Sequence, residues 1–450
     1  MIPKLVNRFL SGHERSVKAK KNIVASFFLK GISIVISLLL VPLTIDYLSP
    51  TKYGIWLTLT SVIGWFVFFD IGLGNGMRNK FAEAKAAGND VLARTYISTT
   101  YAIITIIAAL LFVVFFAINQ FLNWGKILNV SSGIQEIENL VFIIYTVFCL
   151  QFIVKLINVV FIADQKPAIS NAINTLGSLV SLLVVYVLIK TSQGSLLYLG
   201  ASFSIINLII PFIASVWVFN GVYKKYKPSF KSIDFSLSKE LLSVGVRFFI
   251  TQIAAIVVTS TDNIIIAQLF GSEEVVVYNV SYKYFAVMSM VFTIVTSPYW
   301  SAFTEAYVKN DIAWIKQTIL KISKLWIIAL VAIILMLLFS TFIYHLWLGD
   351  RVIIPFQLSA VMAVWVILGT SIMIFGNFLA GVNKIQLSLY HSVFVSIINI
   401  PLSIFFAKNL GMGSTGVILA SVACIFPRAI FQPIQYWKII NGTAKGIWNK

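Results

Sequence analysis

Apolar residues run along this chain in long stretches, separated by short polar or basic turns, and that rhythm sets the fold. A helix needs roughly 20 apolar residues to cross a hydrocarbon layer. Stretches of that length predict helices near 24–48, 53–77, 98–121, 138–162, 169–190, 197–219, 243–269, 276–302, 321–345, 354–379, 385–407 and 414–436. They lack the period-two alternation of a membrane β-barrel strand. The first stretch is too long for a cleavable signal peptide and ends at Asp46-Tyr47 rather than at small residues. The expectation is an all-α polytopic membrane protein with about 12 transmembrane helices. Residues 4–10 (KLVNRFL) mix basic and apolar groups and read either as a short interfacial helix or as a solvated tail.

The pattern repeats. At an offset of 222, Ala82-Glu83-Ala84 falls on Thr304-Glu305-Ala306, and Ser49-Pro50-Thr51 falls on Gly271-Ser272-Glu273. Gly88-Asn89-Asp90 falls beside Asn310-Asp311. An even number of spans separates the copies, so both keep one orientation, as in parallel-repeat transporters. This predicts two pseudo-twofold six-helix bundles around a central cavity. The first, residues 1–221, carries a basic N-terminus; a basic linker follows at 222–242, then the second bundle at 243–450. A cleft between two such halves can open to either face in turn, which favours transport over catalysis.

Composition agrees. Charged residues make up 11% and hydrophobic ones 59%, against roughly 25% charged in soluble domains. The formal charge of +18 would suggest nucleic acid in a soluble protein. Here the basic residues sit between apolar spans and report topology instead. One side carries 24 Lys and Arg, the other five. The positive-inside rule then places both termini in the cytoplasm and the chain in a plasma or inner membrane. Cys149 and Cys424 lie in apolar runs with no partner at metal-ligand spacing, which excludes a disulfide framework or zinc site at this level. His13, His345 and His391 are far apart, and Gly72-x-Gly74-x-Gly76 is not a P-loop. No enzyme constellation is legible, and no metal site.

Charges inside the spans are costly, roughly 2.5–3.5 kcal/mol each at mid-helix. Lys30, Asp70, Lys155, Arg247, Asp262, Lys283 and Arg428 all fall within predicted helices. By depth, Lys30, Lys155, Arg247 and Arg428 lie in the cytoplasmic half. They are the candidate cationic lining for an anionic headgroup, Arg as a bidentate fork and Lys as a point charge. Snorkelling toward the interface is the competing reading for Lys30 and Arg247. Arg247, Thr251, Ala255, Val258 and Asp262 share one helix face. Asp262 could pair with Lys283, or bind H+ or Na+ for coupling; Asp70 could pair with Lys30.

The stretch Phe69-Asp70-Ile71-Gly72-Leu73-Gly74-Asn75-Gly76-Met77-Arg78-Asn79-Lys80-Phe81-Ala82-Glu83-Ala84, with Gly88-Asn89-Asp90 and Ala93-Arg94 after it, resembles the O-antigen and polysaccharide flippase family. That family lies within the multidrug/oligosaccharidyl-lipid/polysaccharide superfamily. Tyr53-Gly54-Ile55-Trp56 and residues 375–381 (FGNFLAG) are similar to it too. The resemblance implies a flippase moving undecaprenyl-pyrophosphate-linked oligosaccharide from the cytoplasmic to the periplasmic leaflet by alternating access. It implies room for H+ or Na+ coupling and no other cofactor. It gives Gly72, Gly74, Asn75, Gly76 and Arg78 to packing and a cytoplasmic gate rather than to substrate. Implied partners are the lipid-linked oligosaccharide, membrane lipids, and a glycan polymerase with its chain-length regulator. The alternative on the same fold is a multidrug and toxin extrusion cation antiporter, disfavoured because the embedded charges lean basic. A membrane scaffold without transport and an intramembrane enzyme are further readings.

Overall fold

In the computed structural model, residues 14–64, 73–130, 133–164, 166–241, 261–296 and 299–450 are described. Helices fill them, with no strand among the described residues. They comprise α1 (Glu14–Leu48), α2 (Pro50–Gly64), α3 (Leu73–Ala86), α4 (Asp90–Asn119), the short α5 (Trp124–Leu128), α6 (Ile134–Val154), α7 (Leu156–Ala163), α8 (Pro167–Thr191), α9 (Leu196–Asn220), α10 (Ser272–Thr296), α11 (Tyr299–Val308), α12 (Ile312–Leu338), α13 (Ser340–Leu348), α14 (Phe356–Gly381), α15 (Gln386–Ile404) and α16 (Gly413–Ile440). Ten candidate spans lie among the described residues. The two remaining predicted spans, 53–77 and 243–269, fall partly on residues outside that set. Leu338, Phe394 and Trp217 are among the many large apolar side chains left exposed on these helices. In water that surface would aggregate; in lipid it is the solvated face.

Two element ends differ from the periodicity. α4 and α12 start eight and nine residues before their apolar runs, at Asp90 and Ile312. Asn89 and Asp311 cap them: each side-chain oxygen accepts from the backbone N–H three residues on, at 2.9 and 3.0 Å. Between cap and apolar run each helix carries a charge, Arg94 in α4 and Lys316 in α12, which lowers the hydropathy without ending the helix. The expected span 321–345 is interrupted: α12 ends at Leu338 and α13 resumes at Ser340.

The contacts group into two compact units, Met1–Ser49 with Ile63–Ile250, and Pro50–Val62 with Thr251–Lys450. Residues 50–62 group with the second unit. The basic segment after α9 groups with the first.

In the first unit, α1 packs on α8 through Ser33 Oγ and Thr175 Oγ1 at 2.8 Å. α6 packs on α9 through the buried Gln151, whose Nε2 donates to Ser204 O at 2.8 Å. Leu73, Met77 and Phe81 of α3 are fully buried among Ile97, Ile157 and Phe161. In the second unit, α14 lies against α16, α10 and α12. Phe303 and Phe378 meet edge-on in its core, centroids 5.6 Å apart.

The 222-residue repeat is written into the backbone. Asn89 N donates to Ala84 O, and Asp311 N donates to Ala306 O. Gly88 N to Lys85 O matches Asn310 N to Tyr307 O, and Ala93 N to Asn89 O matches Ile315 N to Asp311 O. Gly88 and Asn310 take the same left-handed conformation, at φ +73° and +56°. Phe81 and Phe303, also 222 apart, are both fully buried.

Candidate functional site

Among the described residues, the first unit holds two of the predicted cations, Lys30 and Lys155. Lys155 occupies a one-residue interruption between α6 and α7 and is exposed. It lines a small cavity of about 150 Å³ with Gly74, Gln151, Phe148, Phe152 and Leu156. No carboxylate pairs with Lys155 among the described residues. Lys30 is exposed on α1, also without a carboxylate among the described residues, and the structure does not bring it into that cavity. Asp70, its suggested partner, lies outside the described residues, as do Gly72 and the side chain of Asn75.

The rest of the glycine motif is a packing device. Gly74 and Gly76 are buried in the first turn of α3. A Cβ on Gly76 would stand 2.2 Å from Leu241 O, so no side chain fits. Arg78 is exposed on the same helix.

Below α3 the basic segment is strapped down. Tyr223 and Tyr226 are buried, with Phe81 edge-on to Tyr226 at 5.2 Å. Asp164 accepts from Lys85, from the Tyr223 hydroxyl, and from Lys166 Nζ at 2.6 Å. Burial pushes the Asp164 carboxyl up, but those three donors outweigh it and hold it below the usual carboxylate range. Asp90 accepts from Lys225 Nζ at 2.7 Å and the Tyr226 hydroxyl at 2.6 Å. Lys80 Nζ bridges Glu83 at 3.0 Å and Glu240 at 2.7 Å, which lowers the Glu240 pKa.

In the second unit, Arg428 is half-buried at mid-helix on α16. With the Gln432 amide turned so that both ends find partners, Gln432 accepts from Arg428 Nε at 2.9 Å and donates to Ile372 O at 3.0 Å. No carboxylate pairs with Arg428 among the described residues. His391 lies on α15 with its Nε2 buried and without a partner among the described residues, in a cavity of about 200 Å³ shared with Cys424 and Pro427. Arg247 and most of its predicted stripe lie outside the described residues.

Asp262 is 3% exposed. Its Oδ2 accepts from the Tyr278 hydroxyl at 2.6 Å, and its Oδ1 is buried without a partner among the described residues. Asn279 Nδ2 donates to Asn263 Oδ1 at 2.7 Å one residue along. Both contacts arise because helix 261–270 folds back at Gly271 onto α10, φ +92°. The suggested Asp262–Lys283 pair is not formed. Lys283 instead donates to the Tyr53 hydroxyl at 3.1 Å, with its ammonium 5.8 Å from the ring centre. Tyrosine takes the place of the opposite charge in both cases, since a phenol can donate to a carboxylate or accept from an ammonium.

Sequence reasoning gave no site role to Tyr53 or His391, which it named for other reasons, and missed Tyr278, Gln432 and the Asp164 cluster. A signal existed for two. Gln432 lies four residues after Arg428, on its face. Asp262 and Tyr278 are placed evenly about the turn at 270–271, as partners across a helical hairpin must be.

The polysaccharide biosynthesis protein family model matches residues 19–304. A putative O-antigen export protein of Yersinia pseudotuberculosis is 26% identical over 61% of this chain and 62% of its own length. A putative O-antigen transporter of Salmonella typhi is 25% identical over 64% and 65%. The chain thus spans somewhat under two thirds of the length of these curated relatives. Among solved structures, an inward-facing multidrug resistance MATE family transporter of the MOP superfamily superposes with TM-score 0.78, at 13% identity, over 94% of this chain and 98% of the other. A MOP superfamily transporter from Pyrococcus furiosus, described as having reverse polarity of its binding pocket, superposes at TM-score 0.68 and 15% identity, over 95% and 97%. These likenesses show a shared fold.

Proposed function

Since the chain belongs to the polysaccharide biosynthesis protein family, we propose that this multi-pass membrane protein is a flippase for lipid-linked oligosaccharides, carrying an undecaprenyl-pyrophosphate headgroup from the cytoplasmic to the periplasmic leaflet of an inner membrane. The observation that carries this reading is the charge balance at membrane depth. Lys155 and Arg428 have no carboxylate partner among the described residues. Retaining such cations in a span is expensive unless an anion uses them. A pyrophosphate's oxygens suit an ammonium as a point charge and a guanidinium as a bidentate fork, so each of these cations, taken by itself, favours an anionic headgroup. The relatives' names, O-antigen export protein and O-antigen transporter, point the same way. A carrier of organic cations would want the opposite sign.

Asp262 is the acid we assign to coupling. One carboxylate oxygen is held by Tyr278 and the other meets no partner among the described residues. Loading it with H+ or Na+ would remove a buried negative charge and so favour a different packing of the helices around it.

The test is complementation of a strain lacking the gene with Lys155→Gln, Arg428→Gln and Arg428→Lys. The charge-neutral variants are expected to lower surface polysaccharide by about 10-fold or more, since a charge-assisted hydrogen bond is worth about 1.5–3 kcal/mol. Arg428→Lys should recover part of it. Full complementation by the double neutral variant, at normal protein level, would reject the cationic reading.

A further inference from the structure

We propose that the last two turns of α9 and the strap after it form a binding site for an anionic phospholipid. The site has an apolar and a cationic part. Phe212, Ile213, Val216, Trp217 and Asn220 fall on one face of α9 and, with Gly221, line an open groove of about 550 Å³. Trp217 is 77% exposed there. Every lipid-facing helix has apolar surface, so the groove alone specifies nothing.

What distinguishes it is the fixed cation at its mouth. Lys227 Nζ donates to the groove-lining Asn220 Oδ1 at 2.8 Å. The Lys227 carbonyl is itself held by Arg94 Nε at 2.9 Å. Lys225 is neutralised by Asp90, but Lys224 and Lys227 meet no carboxylate among the described residues. The strap is thus two-faced. Its tyrosines, Tyr223 and Tyr226, are buried against the first unit, while Lys224, Lys227, Lys231 and Phe230 point away from it. Phe230, ten residues beyond the end of α9, is 93% exposed. A diester phosphate at Lys227 with one acyl chain along the groove satisfies both parts. Basic residues directly beyond a transmembrane helix attract anionic lipid by about 1 kcal/mol each. This assignment is independent of the transported substrate.

The experiment titrates delipidated full-length protein in detergent with phosphatidylglycerol or phosphatidylcholine and counts retained lipids by native mass spectrometry. Wild type should retain phosphatidylglycerol preferentially. Lys224→Gln and Lys227→Gln should each weaken retention by about 5-fold, whereas Lys239→Gln, which lies beyond the groove, should not. Trp217→Ala should weaken both lipids alike. Equal retention of the two lipids, or no effect of the Lys224 and Lys227 substitutions in protein of unchanged melting temperature, would overturn the proposal. So would displacement of phosphatidylglycerol by a polyprenyl pyrophosphate at much lower concentration, which would reassign the groove to substrate.

Discussion

Asp262 shows what a single residue contributes and how its chemistry is set. A carboxylate at 3% exposure survives because Tyr278 donates to it. Removing that donor leaves a buried acceptor unsatisfied, at a cost of about 1–3 kcal/mol. Tyr278→Phe should therefore lower the melting temperature of the purified protein while leaving Asp262 able to bind a proton. Asp262→Asn should fold, and transport in proteoliposomes should then lose its dependence on a pH or Na+ gradient. A gradient response in Asp262→Asn equal to wild type would remove it from coupling. Gly76 makes a steric prediction. A methyl 2.2 Å from Leu241 O cannot be accommodated without moving backbone, so Gly76→Ala should destabilise by about 1–3 kcal/mol, read as reduced protein in the membrane. The embedded charges were legible one by one from the sequence because hydropathy marks them. Their partners were not, because Tyr53 and Lys283 are 230 residues apart and neither residue type demands the other.

At the level of elements, hydrophobic length located helices well and their ends poorly. Charges within the first two turns, Arg94 in α4 and Lys316 in α12, make a hydropathy reading stop short, while the Asn89 and Asp311 caps mark the true start. The basic stretch after α9 read as a linker from its lysines. Its alternation of tyrosine and lysine carried more: the tyrosines are buried, and Asp164 and Asp90 clip the segment to α3, α4 and the α7–α8 turn. Asp164→Asn strands Lys85 and Lys166, whose side chains are 35% and 25% exposed. Limited trypsin digestion should then cut at Lys224–Lys231 several-fold faster than in wild type. The clip also has a defined pH response. Because the folded Asp164 pKa is depressed, its contribution is fully present above the ordinary carboxylate pKa and is lost as pH falls through the lower folded value. Strap protection should hold from neutrality to about pH 4 and fail below it.

On the scale of the molecule, two features were readable from the chain alone. One is the 222-residue repeat, now visible as matched hydrogen bonds at Asn89 and Asp311. The other is family membership, carried by the α3 motif and matched over residues 19–304. The fold is shared with a multidrug resistance transporter at 13% identity and with a MOP superfamily transporter of reversed pocket polarity at 15%, so fold by itself does not choose a substrate. The proposed choice rests on sign: Lys155 and Arg428 without carboxylate partners among the described residues, and a buried acid, Asp262, held by a tyrosine. The most direct measurement is made in the native host. The gene is deleted in a strain without a redundant carrier, and lipid-linked repeat units are assayed by leaflet together with surface polysaccharide. Our account predicts that repeat units accumulate on the cytoplasmic leaflet while surface glycan is lost, and that both revert on re-expression. Normal surface glycan with repeat units reaching the periplasmic leaflet would contradict it.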